Sequence, residues 1–98
     1  MKYVYRIWRY INAVDAEEVA FFLNFSTAFS FIRAQGEITN FSEEGENDFY
    51  WERKFYDKQY YSEEEWKEKM SPKNIVRKNR RYFAGSNYYR IEKIKLEG

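Results

Sequence analysis

The stretch Met1-Lys2-Tyr3-Val4-Tyr5-Arg6-Ile7-Trp8-Arg9-Tyr10-Ile11 decides the fold, because it is the longest β-prone run in the chain. Successive side chains of a strand point to opposite faces. One face then carries Tyr3, Tyr5, Ile7 and Ile11, interrupted by Arg9; the other carries Val4, Trp8 and Tyr10, with Arg6 among them. Both faces are largely apolar or aromatic, which predicts a strand inside a sheet with cover on each side.

Working outward, Asn12-Ala13-Val14-Asp15 reads as a turn, and Glu18-Val19-Ala20-Phe21-Phe22-Leu23 as the antiparallel return strand. Ala16-Glu17-Glu18 leaves a helix open there. Ser26 is a good helix cap, so Thr27 to Gln35 is expected to be helical, with Ala28, Phe31 and Ile32 on one side, Phe29 beside them and Gly36 as the stop. Residues 37–41 and 49–56 make a second hairpin around a polar, acidic loop; Phe49, Trp51 and Phe55 share one face of its second strand. Ser62 and Glu65 match a capping box for a short helix to about Met70, with Trp66 and Met70 one turn apart. Ser71-Pro72 starts another, running roughly to Arg80. Tyr88 to Leu96 closes the chain as a strand that can lie next to the first. Its apolar residues change face between Ile91 and Ile94, which points to a bulge or a change of cover. The fold class is therefore α+β: a mostly antiparallel sheet of four to five strands with one longer helix and two short helices packed on it, in one domain over residues 1–98.

The composition excludes more chemistry than it supplies. Cysteine and histidine are absent. That removes disulfides, thiol nucleophiles, zinc–thiolate sites, the usual general base near neutral pH and the commonest transition-metal ligand. The expectation is a protein that is not an enzyme, with no cofactor and no metal. No apolar run approaches a membrane span and no signal peptide opens the chain, which favours a cytoplasmic protein. Aromatic residues are 22% of the chain, with ten Tyr, nine Phe and three Trp against two Leu. Such residues fill a core but also serve as anchors at interfaces.

The net charge of +1 hides a division. Residues 1–40 are neutral overall, residues 41–70 carry −5 and residues 71–98 carry +6. In the basic stretch Lys73, Arg77, Lys78, Arg80, Arg81, Tyr82, helical spacing puts Lys73, Arg77 and Arg80 or Arg81 on one face, a positive ridge with Tyr82 and Phe83 at its end. Such a ridge can hold phosphates, grip an acidic protein patch, or pair with the acidic middle of the chain. Glu43, Glu44, Glu46 and Asp48 form the opposed acidic surface. Their spacing does not match a calcium loop; they are an ordinary hairpin tip or a phosphate-mimicking decoy. Tyr56, Tyr60, Tyr61 and Trp66 cluster near both regions, either as core and rim packing or as anchors for a partner. The four glycines, at 36, 45, 85 and 98, are isolated and form no phosphate-cradling loop.

In size, aromatic density, lack of His and Cys, and the Tyr3–Tyr10 strand followed by a hairpin and the Phe25-Ser26 helix entry, the chain resembles small phage-encoded anti-defence proteins of the anti-CRISPR kind. The resemblance implies an inhibitor, working in the host cytoplasm, that binds a host protein or protein–nucleic-acid complex or sequesters a nucleotide signal. The residues themselves lead to a binder, with a nucleotide- or RNA-binding module on the 73–82 ridge as the alternative. Monomer and homodimer are both open.

Overall fold

The computed structural model describes residues 2–12, 14–44, 53–71 and 79–96. Six strands, β1 (Lys2–Tyr10), β2 (Ala16–Phe22), β3 (Ile38–Glu43), β4 (Lys54–Asp57), β5 (Arg80–Ala84) and β6 (Asn87–Leu96), form one sheet in the order β2-β1-β6-β5-β3-β4. All neighbours are antiparallel. Two helices, α1 (Phe25–Gln35) and α2 (Glu63–Lys69), and a 3-10 turn at Lys58–Tyr60 complete the described elements. The first and last strands do pair, from Lys2 opposite Leu96 to Arg9 opposite Tyr89, with no register shift. β6 therefore runs straight. Register shifts lie instead in the β1–β2 hairpin, where Ile7 faces Ala20 but Trp8 faces Glu18, leaving Val19 as the extra residue, and between β3 and β5, where Ile38 faces Ala84 but Asn40 faces Phe83.

The sheet has one strand more than expected, β5, which occupies the stretch between the expected end of the second short helix and the loop after it. Pro72 to Lys78 lie outside the described residues, but Arg80, placed at the end of that helix, begins β5. Along Arg80-Arg81-Tyr82-Phe83-Ala84 the burial alternates between buried and half-buried, the period of a strand. Gly85, with φ 65°, then turns the chain tightly into β6.

Helix α1 begins two residues earlier than Ser26 would give. Asn24 is the cap, and its side chain accepts from the Thr27 N–H at 2.8 Å. Asparagine caps as well as serine, and this start brings Phe25 into the helix, edge-on to Tyr5 at 5.8 Å. The helix ends at Gly36, against the β5–β6 turn. A Cβ on Gly36 would fall 2.4 Å from the Gly85 N, and one on Gly85 would fall 2.5 Å from the Gln35 carbonyl oxygen. The two backbones pass so closely that neither site accepts a side chain. Helix α2 carries the expected capping box: Ser62 accepts from the Glu65 N–H, and the Glu65 carboxylate accepts from the Ser62 N–H.

Both helices pack on the same face of the sheet. Ile7, Ala28, Ile32, Ile38, Phe41, Trp66, Tyr82, Ala84 and Tyr89 are buried there. Aromatic rings stitch the layer: Phe29 meets Tyr82 at 5.5 Å, and Phe41 meets Trp66 at 5.4 Å and Tyr56 at 4.8 Å. On β4 the inward residue is thus Tyr56, while Phe55 is 67% exposed, the reverse of the face expected for Phe55. The reason is register: Tyr56 lies opposite the buried Phe41, and Phe55 opposite Ser42 on the other side. Among the described residues no helix covers that other side, so the expected cover on both faces of β1 is found on one.

Candidate functional site

The helix-free face is assembled from alternate residues of each strand. β1 contributes Arg6, Trp8 and Tyr10; β6 contributes Tyr88, Arg90 and Glu92; β5 contributes Arg81 and Phe83; β3 contributes Asn40 and Ser42; β4 contributes Arg53 at its entry and Phe55. It is a surface of arginines and aromatic rings, and its two halves differ.

Around β2 and β1 the cation is neutralised internally. Arg6 pairs with Glu18 at 3.2 Å and with Glu92 at 3.6 Å, and its guanidinium lies 5.3 Å from the Trp8 ring centre and 5.2 Å from that of Phe21. Trp8 donates its indole N–H to Glu92 at 3.3 Å. Two carboxylates thus serve one arginine.

Across β6, β5, β3 and β4 arginines again meet aromatic rings. A polar cavity of about 270 Å³ is lined by Arg53, Arg81 and Arg90 together with Tyr10, Asn79 and Glu44. Arg53 is 7% exposed and donates to the Ser42 hydroxyl at 3.0 Å and to the Ser42 carbonyl at 3.3 Å. The Arg81 guanidinium lies 4.1 Å from the Tyr10 ring centre, and Arg90 donates to the Tyr10 hydroxyl at 3.1 Å. Beside this cavity lies a second, of about 350 Å³, which shares Tyr10, Arg53 and Arg81 and is walled by Phe55, Phe83 and Tyr88. Ser42 also lines it, and its small side chain between larger neighbours forms the hollow.

The expected site residues that are described take several different places in the fold. Lys73, Arg77, Lys78, Glu46 and Asp48 lie outside the described residues. Arg80, Arg81 and Tyr82 belong to a strand and so alternate sides rather than forming a ridge. Arg80 is buried, pairs with Glu43 at 2.7 Å, donates to the Lys69 carbonyl at 2.6 Å and lies 4.3 Å from the Phe41 ring centre. Tyr82 is 2% exposed, and burial pushes its phenol up to about 12. Glu43, expected in an exposed loop, is the buried end of β3. Glu44 is half-buried beside Asn79, which donates to it. Tyr56, Tyr61 and Trp66 pack into the core and its rim, with Lys69 over the Tyr56 and Tyr61 rings at 4.8 and 4.7 Å. The Tyr56 phenol is raised by burial first and by the adjacent Glu43 second. Of that aromatic group Tyr60 alone is fully exposed, at 78%. Of the residues singled out from sequence, Arg81 and Glu44 reach the arginine cavity. Phe83, expected at the aromatic end of the ridge, lines the second cavity. Arg53, Arg90, Tyr10, Phe55 and Tyr88 were not foreseen as site residues; the period-two pattern of β5 would have aligned them.

Among the described residues no three acidic side chains converge to hold a metal ion, and no helix is long and apolar enough to cross a membrane. The chain matches no protein-family model, and neither the curated proteins nor the solved structures yield a relative.

Proposed function

We propose that this protein is a non-enzymatic binder of single-stranded nucleic acid, and that its working surface is the helix-free face of the sheet. One observation carries the reading: among the described residues, Arg53, Arg81 and Arg90 line a cavity that adjoins a wall of three aromatic rings. Arginine forks match phosphate oxygens, and aromatic faces stack any base, so the pair of features suits a strand whose bases are unpaired. Chemistry on the ligand needs a group poised to take or give a proton, and the two cavities offer arginines, tyrosines and one glutamate. The site of the expected RNA-binding alternative thus moves from the 73–82 ridge to the sheet.

The test is binding of fluorescent single-stranded oligonucleotides across a salt series. Three arginine–phosphate contacts give a slope of log K against log salt near about −2. Arg81→Ala reduces the slope by one contact while the melting temperature holds. A salt-independent signal, or none at low salt, would falsify the proposal.

A second reading, inhibition of a host protein as the anti-defence resemblance implies, draws on a different surface. Strand β2 is an edge of the sheet, and the exposed Phe21 and Leu23 lie at its end, with Ile11 and Val14 exposed in the turn before it. An edge with apolar neighbours invites strand addition by a partner. Pull-downs with Phe21→Ser plus Leu23→Ser decide it: a captured protein retained at wild-type levels by this variant removes the β2 edge as its docking place.

A further inference from the structure

We infer that the aromatic cavity is a subsite for a single unpaired base: a bound strand lays one base against Phe55, and its neighbours make no stacking contact with the face. The inference rests on the nucleic-acid reading above and narrows it from a strand in general to one nucleotide of that strand.

The rings of the open face decide this by what already occupies them. Trp8 and Phe21 flank the Arg6 guanidinium, with ring centres 5.3 and 5.2 Å from it, and the Trp8 indole N–H donates to Glu92. The Tyr10 ring carries the Arg81 guanidinium at 4.1 Å, and its hydroxyl accepts from Arg90. Phe83 and Tyr88 meet each other at 4.9 Å, tilted by 57°. Phe55 differs from all of these. Among the described residues neither a ring nor a cation contacts it, and it is 67% exposed.

A single exposed phenylalanine is ordinary on a protein surface. What sets Phe55 apart is the space beside it. With Phe83, Tyr88 and the exposed Ile11 it lines the cavity of about 350 Å³. Register makes that space, since Phe55 lies opposite Ser42, whose small side chain leaves the hollow. The volume is at the lower end of the range of about 300–1,000 Å³ for small-molecule sites. It has room for one base with its sugar and none for a stack of bases. A base on Phe55 also takes the exposed apolar surface of Phe55 and Ile11 out of water. One free ring and one hollow of this size make one stacking place.

Isothermal titration of the full chain at low salt compares a nine-residue DNA backbone in four forms: adenine at every position, one central adenine among abasic sites, two adjacent central adenines among abasic sites, and abasic throughout. One adenine is expected to tighten binding at least about fivefold over the abasic form, as the stacking of one base gives. A second adenine should add no more than about twofold, the statistical gain of a second register. Phe55→Ala, and independently Phe55→Leu, which keeps apolar bulk without a ring, should bring the one-adenine and abasic forms within about twofold of each other. Melting curves check that both variants fold, which the exposure of Phe55 favours. If the one-adenine and abasic forms bind equally, the subsite is overturned and the backbone contacts of the nucleic-acid reading stand. A second gain of about fivefold from the second adenine, or base dependence unchanged in both Phe55 variants, also overturns the single-base subsite and leaves that reading in place. Binding of the all-adenine form alone does the same. Binding of none of the four overturns both.

Discussion

Removing Glu43 should unfold much of the margin that keeps this small domain together. Glu43 Oε1 lies 2.7 Å from one Arg80 nitrogen and accepts from Arg80 Nε at 2.9 Å, and the two side chains are 9% and 4% exposed. Two contacts converging on one oxygen in a site this dry make a charge-assisted pair. Losing one partner of a buried pair costs about 3–5 kcal/mol, because the other charge stays desolvated. Arg80 would keep its bond to the Lys69 carbonyl and its contact with Phe41, so the lower part of that range, about 3 kcal/mol, is expected for Glu43→Gln. A domain of this size is stable by about 5–15 kcal/mol in total, so the loss is readily measured by urea unfolding. The same reasoning makes the double replacement Glu43→Leu plus Arg80→Met milder than either single change, since an apolar pair carries no desolvation cost. A loss for Glu43→Gln below about 1 kcal/mol, the range of exposed ion pairs, would refute the buried pair and return both residues to the surface.

Other substitutions probe other joints of the fold. Gly36→Ala forces a Cβ to within 2.4 Å of the Gly85 N, so the melting temperature should drop sharply, whereas Ala34→Gly on the exposed side of the same helix should cost only about 1 kcal/mol. Ser62→Ala should cost about 1 kcal/mol by removing the cap of α2. The Glu65 carboxyl is held below its ordinary value of 4.5 by its bonds with Ser62, so its part of the cap is complete above that pH. It fades as pH falls through the depressed value, and the gap between wild type and Glu65→Ala should narrow there. The Tyr82 hydroxyl is buried without a hydrogen-bond partner, though Arg80 lies near enough to act on its charge. Tyr82→Phe should therefore leave neutral-pH stability unchanged or raised. Because the folded phenol is pushed up from 10 to about 12, its contribution is complete below pH 10 and is lost as pH rises towards 12. Alkaline unfolding monitored by circular dichroism should come later in the variant than in the wild type, and identical curves would contradict it.

Local signals in the sequence were strong where one residue type settles one geometry. The Ser62–Glu65 capping box, Gly36 as the end of α1 and the β-prone run from Tyr3 to Tyr10 can be read directly and appear in the structure. The α+β class and the antiparallel sheet follow from them. What was illegible is what long-range pairing decides. Arg80 and Glu43 look like surface charges until β5 docks against β3 and places them opposite each other. Phe55 looks like core until register sets Tyr56 over Phe41. The candidate site shares this property, since Tyr10, Arg53, Arg81 and Arg90 come from four parts of the chain and meet only when the strand order β1-β6-β5-β3-β4 is known. Charge counting found the basic C-terminal third but could not say which of its arginines face the open side.

The most direct test is a nuclear magnetic resonance titration of the isotope-labelled protein with a short single-stranded oligonucleotide at low salt. Shifts confined to Tyr10, Arg53, Phe55, Arg81, Phe83, Tyr88 and Arg90, with α1 and α2 unmoved, are the predicted result. Shifts that cluster on the helices, or a spectrum unchanged at saturating oligonucleotide, would contradict it.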